Sequence, residues 1–142
     1  MMTEGMAAKL KHLIVGHEGY ERYPYVDSVG KISIGIGYNL TDRGLPDCWI
    51  NAQYEEDVAY FYGQLMNDFC WFKCLDENRK CVLVDMCFMG YRNFLSFKKM
   101  LRFLGQGDFK MAAQEILSSK WAVQVKGRAQ HLASIMESGE IE

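Results

Sequence analysis

Apolar positions recur at helical spacing through Met6, Leu10, Leu13, Ile14 and His17, which predicts a helix over residues 3–18. Thr3 is placed to cap its start, Gly19 to stop it, and Pro24 forbids continuation. The period then changes. Asp27-Ser28-Val29-Gly30 has turn chemistry, and Lys31 to Gly37 alternates strictly. Ile32, Ile34 and Ile36 fall on one face, with Lys31, Ser33, Gly35 and Gly37 on the other. This predicts a hairpin with an apolar back and a nearly bare front, where the glycines leave room for a ligand. From Asn51 onward the pattern is helical. Ile50, Tyr54, Val58, Phe61, Tyr62 and Leu65 form one stripe, and Val82, Leu83, Met86 and Phe88 another. Further helices are expected over 93–104, 108–118 and 127–137, punctuated by Gly105 and Gly107. The fold class expected is α+β within one domain, 1–142. Its small β lobe covers about residues 20–45, and its helical lobe covers 1–19 and 51–142.

Composition narrows this picture. Half of the chain is apolar and a quarter charged, as in folded globular proteins, so disorder is excluded. No apolar run reaches the roughly 20 residues of a membrane span. The start, with an early acid and no basic-then-apolar order, lacks the pattern of a secretory signal, so synthesis in the cytoplasm is expected. Five cysteines, an odd number set among apolar neighbours, read as reduced, buried thiols. Their spacing offers no CxxC pair, so neither metal nor cofactor is expected. Net charge is −2, but unevenly spread. Residues 1–75 carry six basic against ten acidic side chains, and residues 76–136 ten against five. A basic second half can meet an anionic polymer or simply be a solvated helical surface.

Candidate chemistry lies at the first helix end and the hairpin. Glycoside hydrolysis needs one carboxylic acid to protonate the leaving oxygen and a carboxylate on the other face of the sugar. Glu18 closes the helix, Asp27 returns on the hairpin, and Ser33 lies on the bare strand face. Those three side chains are candidates to border one cleft, with Gly35 and Gly37 clearing space for a sugar ring. By spacing alone, such a pair reads first as two surface acids. His17-Glu18-Gly19-Tyr20-Glu21 nearly spells a zinc-protease HExxH, but Glu21 stands in place of the second histidine. The three Trp, eight Tyr and eight Phe fall mostly at helical spacing and read as core. No nucleic-acid-binding signature accompanies them.

The segment GHEGYERYPYVDSVGKISIGIGYNLTDRG, residues 16–44, closely resembles the N-terminal signature of T-even-type phage lysozymes, glycoside hydrolase family 24. RKCVLVDMCFMG and FLSFKKML resemble that family's next two helices, and SSKWAVQVKGRA its Trp-x6-Arg-Ala segment, so the likeness covers nearly the whole chain. It implies a lysozyme-like fold with the cleft between a β lobe and a helical lobe. The implied activity is inverting muramidase action, cleaving the β-1,4 bond between N-acetylmuramic acid and N-acetylglucosamine. Glu18 takes the place of the acid, Asp27 of the second carboxylate and Ser33 of the water-holding hydroxyl. Gly35, Phe88, Gln124 and Arg128 fall at substrate-binding positions, Arg128 matching an arginine that pairs with the acid. Peptidoglycan strands are the implied partner, for a monomer that neither enters membranes nor binds nucleic acid. The implied biology is that of an endolysin, released to the cell wall through a membrane pore.

This chain departs from the pattern at several points. Tyr38 stands where many relatives have His or Arg, and Ser33 where Thr is commoner. The stretch after Phe88 is short, with Met89-Gly90 in place of an expected polar residue. A lysozyme-like module that binds peptidoglycan or a protein without cleaving is therefore the alternative, although the retention of Glu18, Asp27 and Ser33 together weighs against it. The acid also carries a physical condition. Glu18 must keep a proton near neutrality, and a helix end contributes only ~0.3–1 kcal/mol towards that. Burial in the cleft is expected to supply the rest.

Overall fold

The computed structural model describes residues 1–141. It is mostly helical with one small antiparallel sheet, an α+β architecture. Its contacts divide the chain into two compact units, Met1–Gln53 and Tyr54–Glu142.

The first unit opens with α1, Glu4–Glu18, bounded as the sequence predicts. The Thr3 hydroxyl accepts from the Met6 amide, Glu4 occupies the positive helix start, and Gly19 at φ 83° ends the helix with its amide on the Val15 carbonyl. The sheet follows in the order β1 (Glu21–Val26), β2 (Ile32–Gly35) and β3 (Tyr38–Asn39). Between Glu21↔Gly35 and Tyr25↔Ser33 the β1–β2 register shifts. That irregularity contains Pro24, which has no amide hydrogen to give to the ladder. A one-turn helix, α2 (Leu40–Arg43), is capped by the Asn39 side chain, which accepts from the Asp42 amide.

Two expectations fail in this unit. The isoleucine face of β2 is not its buried face: Ile32 and Ile36 are exposed, while Ser33 is buried. Ser33 sits at the centre of the middle strand, flanked by Tyr25 on β1 and Asn39 on β3, so its neighbours cover it. The strand is also shorter than the alternation implies. Gly35 and Gly37 have φ of 69° and 64°, and the chain turns there into β3 instead of continuing extended.

The long helix α3, Asp47–Asp68, is followed by a 3-10 turn at Phe72–Cys74. After it come α4 (Glu77–Cys87), α5 (Tyr91–Leu95), α6 (Lys98–Gly105), α7 (Phe109–Leu117), α8 (Lys120–Val125) and α9 (Gly127–Ser138). The apolar core of the second unit is built from Leu65, Phe72, Val82, Leu83, Met86, Phe94, Met100, Leu104, Ile116, Met136 and their neighbours. Three of these helix starts have a local cause: Asp76, Asp108 and Ser119 accept from the Arg79, Met111 and Ala122 amides at α4, α7 and α8. Arg79 ties the C-terminus of α9 to α4, donating to the Met136 and Glu137 carbonyls while its guanidinium lies 3.8 Å from the Phe109 ring centre.

Several helical expectations are corrected here. The helix expected over 93–104 is two helices, because Ser96 and Phe97 close 3-10-type bonds onto Asn93 and Phe94. Of the α3 stripe, Leu65 is buried, while Ile50, Tyr54 and Tyr62 are exposed. The cysteines are free, but only Cys87 is buried. Phe72 takes the inward position between Cys70 and Cys74, and Val82, Leu83, Met86 and Cys87 take it on α4, which leaves Cys81 outside. Burial pushes the Cys87 thiol up to about 12, so it stays protonated and unreactive.

Candidate functional site

The turn joining β1 to β2 is organised around one carboxylate. Asp27 Oδ1 accepts from the amides of Val29 (3.0 Å) and Lys31 (2.9 Å). The Asp27 amide in turn donates to the Lys31 carbonyl at 2.8 Å, and Gly30, at φ 81°, returns its amide to the Asp27 carbonyl. An aspartate that bonds the backbone two and four residues ahead fixes its own side chain along with the turn. Oδ2 is left to face the Ser33 hydroxyl, 3.4 Å away. Asp27 is half-buried and Ser33 is 4 % exposed, with no buried side-chain polar atom left unpartnered among the described residues.

The other end of the hairpin meets α1. A Cβ built on Gly37 would lie 2.7 Å from Glu18 Oε2, 3.0 Å from its Cδ and 3.1 Å from its Cβ. The space expected at Gly37 for a sugar ring is thus filled by the Glu18 side chain. Glu18 itself is exposed, contrary to the burial expected of it, because it closes a helix that buries none of its residues. At Gly35 an added Cβ would meet nothing within 4 Å, so that position does leave open space.

The rest of this unit braces the sheet. Lys31 pairs with Asp42 at 2.6 Å, and the hydrogen bond from its ammonium holds the Asp42 carboxyl below its ordinary value. The Thr41 hydroxyl accepts from the Ile32 amide at 2.8 Å. Tyr38 has a structural environment: its hydroxyl donates to the Gly44 carbonyl, Arg43 lies 4.2 Å from its ring centre, and Trp49 packs at 5.1 Å.

The remaining candidates lie in the second unit. Phe88 caps the end of α4 and is 45 % exposed, stacked on Tyr54 and edge-on to Phe61. It shares a hollow of about 800 Å³ with Tyr62, Val84, Asp85 and Arg128. Arg128 is held there by Asp85, which accepts from its Nε at 3.0 Å and its Nη2 at 2.6 Å, while the Asp85 carbonyl accepts from Nη2 at 2.9 Å. Gln124 lines a different hollow, of about 750 Å³, with Phe97, Lys98, Lys99, Lys120 and Trp121. Between Gln124 and Arg128 stands Lys126, the one non-glycine residue at positive φ (45°) among those described. Backbone of that kind costs on the order of 1–3 kcal/mol and persists only where its surroundings enforce it. No group of three or more His, Cys, Asp and Glu side chains among the described residues is arranged to hold a metal ion.

Sequence reasoning missed two partners. Nothing in the pattern marks Asp85 as the anchor of Arg128. Gly37 as the seat of Glu18 was masked by the strand alternation that placed it on a sheet face.

No family model matches the chain. Two curated proteins of Dictyostelium discoideum are similar to it over nearly its whole length. Probable T4-type lysozyme 2 is 25 % identical, covering 96 % of this chain and 98 % of its own. Probable T4-type lysozyme 1 is 24 % identical with the same coverage. Both alignments, of 167 and 166 residues, are longer than the chain itself, so these relatives carry stretches that this chain lacks.

Proposed function

We propose that the chain, similar over nearly its whole length to two probable T4-type lysozymes, is a peptidoglycan hydrolase, a muramidase. It cleaves the β-1,4 bond between N-acetylmuramic acid and N-acetylglucosamine with inversion at the anomeric carbon. The observation that carries this reading is the pairing of Asp27 with Ser33. A carboxylate whose rotamer is set by two amides, and whose other oxygen accepts from a buried hydroxyl, is suited to hold a small polar molecule in one orientation.

In the proposed reaction that molecule is water. Asp27 takes its proton as the oxygen attacks the anomeric carbon, and Ser33 directs the lone pair. Glu18 donates its proton to the departing glycosidic oxygen on the other face. Inverting enzymes place the two carboxyl groups about 6.5–9.5 Å apart to admit the water. Because Glu18 is exposed in the free protein, the dehydration that keeps a general acid effective has to arrive with the sugar. Within the second unit taken by itself, the hollow that holds the exposed Phe88 ring and the Arg128–Asp85 pair has chemistry suited to a sugar's apolar face and hydroxyls.

The test is digestion of purified peptidoglycan followed by mass analysis of the fragments. The wild-type chain should release fragments with reducing muramic ends, and Glu18→Gln should lower the rate about 10²–10⁴-fold. Anhydro ends would instead identify a lytic transglycosylase. No fragments from the wild type would favour the binding module without catalysis.

A further inference from the structure

We propose that Gly37 is a positioning residue for Glu18, its missing side chain forming the seat in which the Glu18 carboxyl rests. This rests on the reading of Glu18 as the acid, and it adds a residue to which neither that reading nor the relatives' names assign a role.

Five glycines of the first unit, Gly19, Gly30, Gly35, Gly37 and Gly44, have positive φ. Backbone conformation alone explains a glycine at each. Gly37 differs in its surroundings. A Cβ at the other four would meet nothing within 4 Å, whereas at Gly37 it would meet three atoms of one side chain, and all three belong to Glu18. Two demands therefore coincide at Gly37, a left-handed backbone and an empty Cβ position.

The contact runs along the side chain and not only at its tip. Rotation about the Glu18 torsions can carry Oε2 and Cδ away from an added methyl group. Its Cβ cannot move so, because it is fixed to the last residue of α1, whose C-terminus is closed by the bond from the Gly19 amide to Val15. An alanine at position 37 therefore displaces the carboxyl and presses on the helix end behind it. Misplacing a catalytic group by about 1 Å can cost ~10²-fold in rate while leaving the rest of the site able to bind.

The experiment compares the full wild-type chain with Gly37→Ala and Gly44→Ala. Gly44 has nearly the same φ (61°) but open space where its Cβ would be, so it reports the backbone cost alone. Two readouts are taken. One is the nuclear Overhauser effect between the Gly37 Hα and Glu18 Hγ protons, which is read on the wild type and does not depend on any variant folding. The other is kcat and KM for release of new reducing ends from solubilised peptidoglycan. The Overhauser contact should be present in wild type and Gly44→Ala. Gly37→Ala should lower kcat about 100-fold with KM within about twofold, the pattern of an interaction realised in the transition state. Gly44→Ala should lose a similar amount of thermal stability and keep kcat within about threefold.

Absence of the contact in a wild-type chain that hydrolyses peptidoglycan would overturn this proposal and spare the muramidase reading. So would a Gly37→Ala chain whose kcat matches that of Gly44→Ala. Absence of any reducing ends from a wild-type chain that retains the contact would overturn the muramidase reading, and with it the catalytic meaning of the seat.

Discussion

The two units hold their shape by different means. Residues 54–141 contain the apolar core, with Phe72, Leu83, Met86, Phe94, Met100, Ile116 and Met136 fully buried. In residues 1–53 the buried residue is a serine, and α1 buries nothing. There, position is set by directional bonds: the Asp27 carboxylate on two turn amides, Thr41 on the Ile32 amide, Lys31 on Asp42, and glycines where the backbone must turn. The hydrophobic driving force is non-directional, whereas hydrogen bonds to fixed amides define an oxygen position closely. The candidate acid, carboxylate and hydroxyl all lie in the unit organised by the second means.

The largest effect that tests this contrast is on stability. Phe72→Ala empties a fully buried site between α3 and α4 and should cost about 3–5 kcal/mol. Chemical denaturation followed by far-UV circular dichroism measures it. A cost below about 1 kcal/mol would mean that the second unit does not depend on its core in this way.

Ser33→Ala is the counterpart in the first unit. It removes the hydroxyl facing Asp27 and one buried hydrogen bond, for a stability loss of about 1 kcal/mol. Its effect on peptidoglycan hydrolysis should be much larger in proportion, about 10–100-fold, since in the proposed reaction the water loses one of its two orienting groups. Ser33→Thr, which keeps the hydroxyl, should restore most of the rate. The contrast between the units collapses if Ser33→Ala destabilises the chain as much as Phe72→Ala does.

The same contrast explains what was legible in the sequence. α1, the Asp27 turn and α7 could be read because their signals are local: Thr3, Gly19, Gly30 and Asp108 act on residues within about one turn of themselves. The break at Ser96-Phe97 and the helix α8 escaped, since neither carries a proline or a strong change of period. The hairpin's faces were assigned the wrong way round because alternation says which residues share a side, not which side is covered. Which side is covered depends on the Tyr25–Ser33–Asn39 row, and so on the third strand, which the sequence reading did not foresee. Within the site, Asp27 with Ser33 was foreseeable from a turn followed by a strand. Contacts between distant segments, Arg128 with Asp85 and Glu18 with Gly37, leave no periodic trace.

The smallest effect concerns charge, and it compares one ion pair from each unit. Burial acts to raise the Asp76 carboxyl, but hydrogen bonds from the Arg79 amide and guanidinium outweigh it, so the group is held below its ordinary value of 3.8. A carboxyl lowered on folding adds stability above its unfolded value, and that stability is lost as pH falls through the lowered folded value. Asp76→Asn keeps an oxygen to cap α4 but gives up the charge. The variant should be less stable than wild type at pH 7 by up to about 1 kcal/mol, the range for a solvent-screened pair. The difference should close as pH falls below about 4. Asp42 is lowered in the same direction by Lys31, but on a fully exposed carboxyl. Its contribution should vanish on adding salt at pH 7, whereas that of Asp76, whose partner Arg79 is only 14 % exposed and stacked on Phe109, should largely persist. Thermal denaturation of Asp76→Asn and Asp42→Asn at low and high ionic strength decides it. Equal salt sensitivity of the two would show that neither unit shields its charges better than the other.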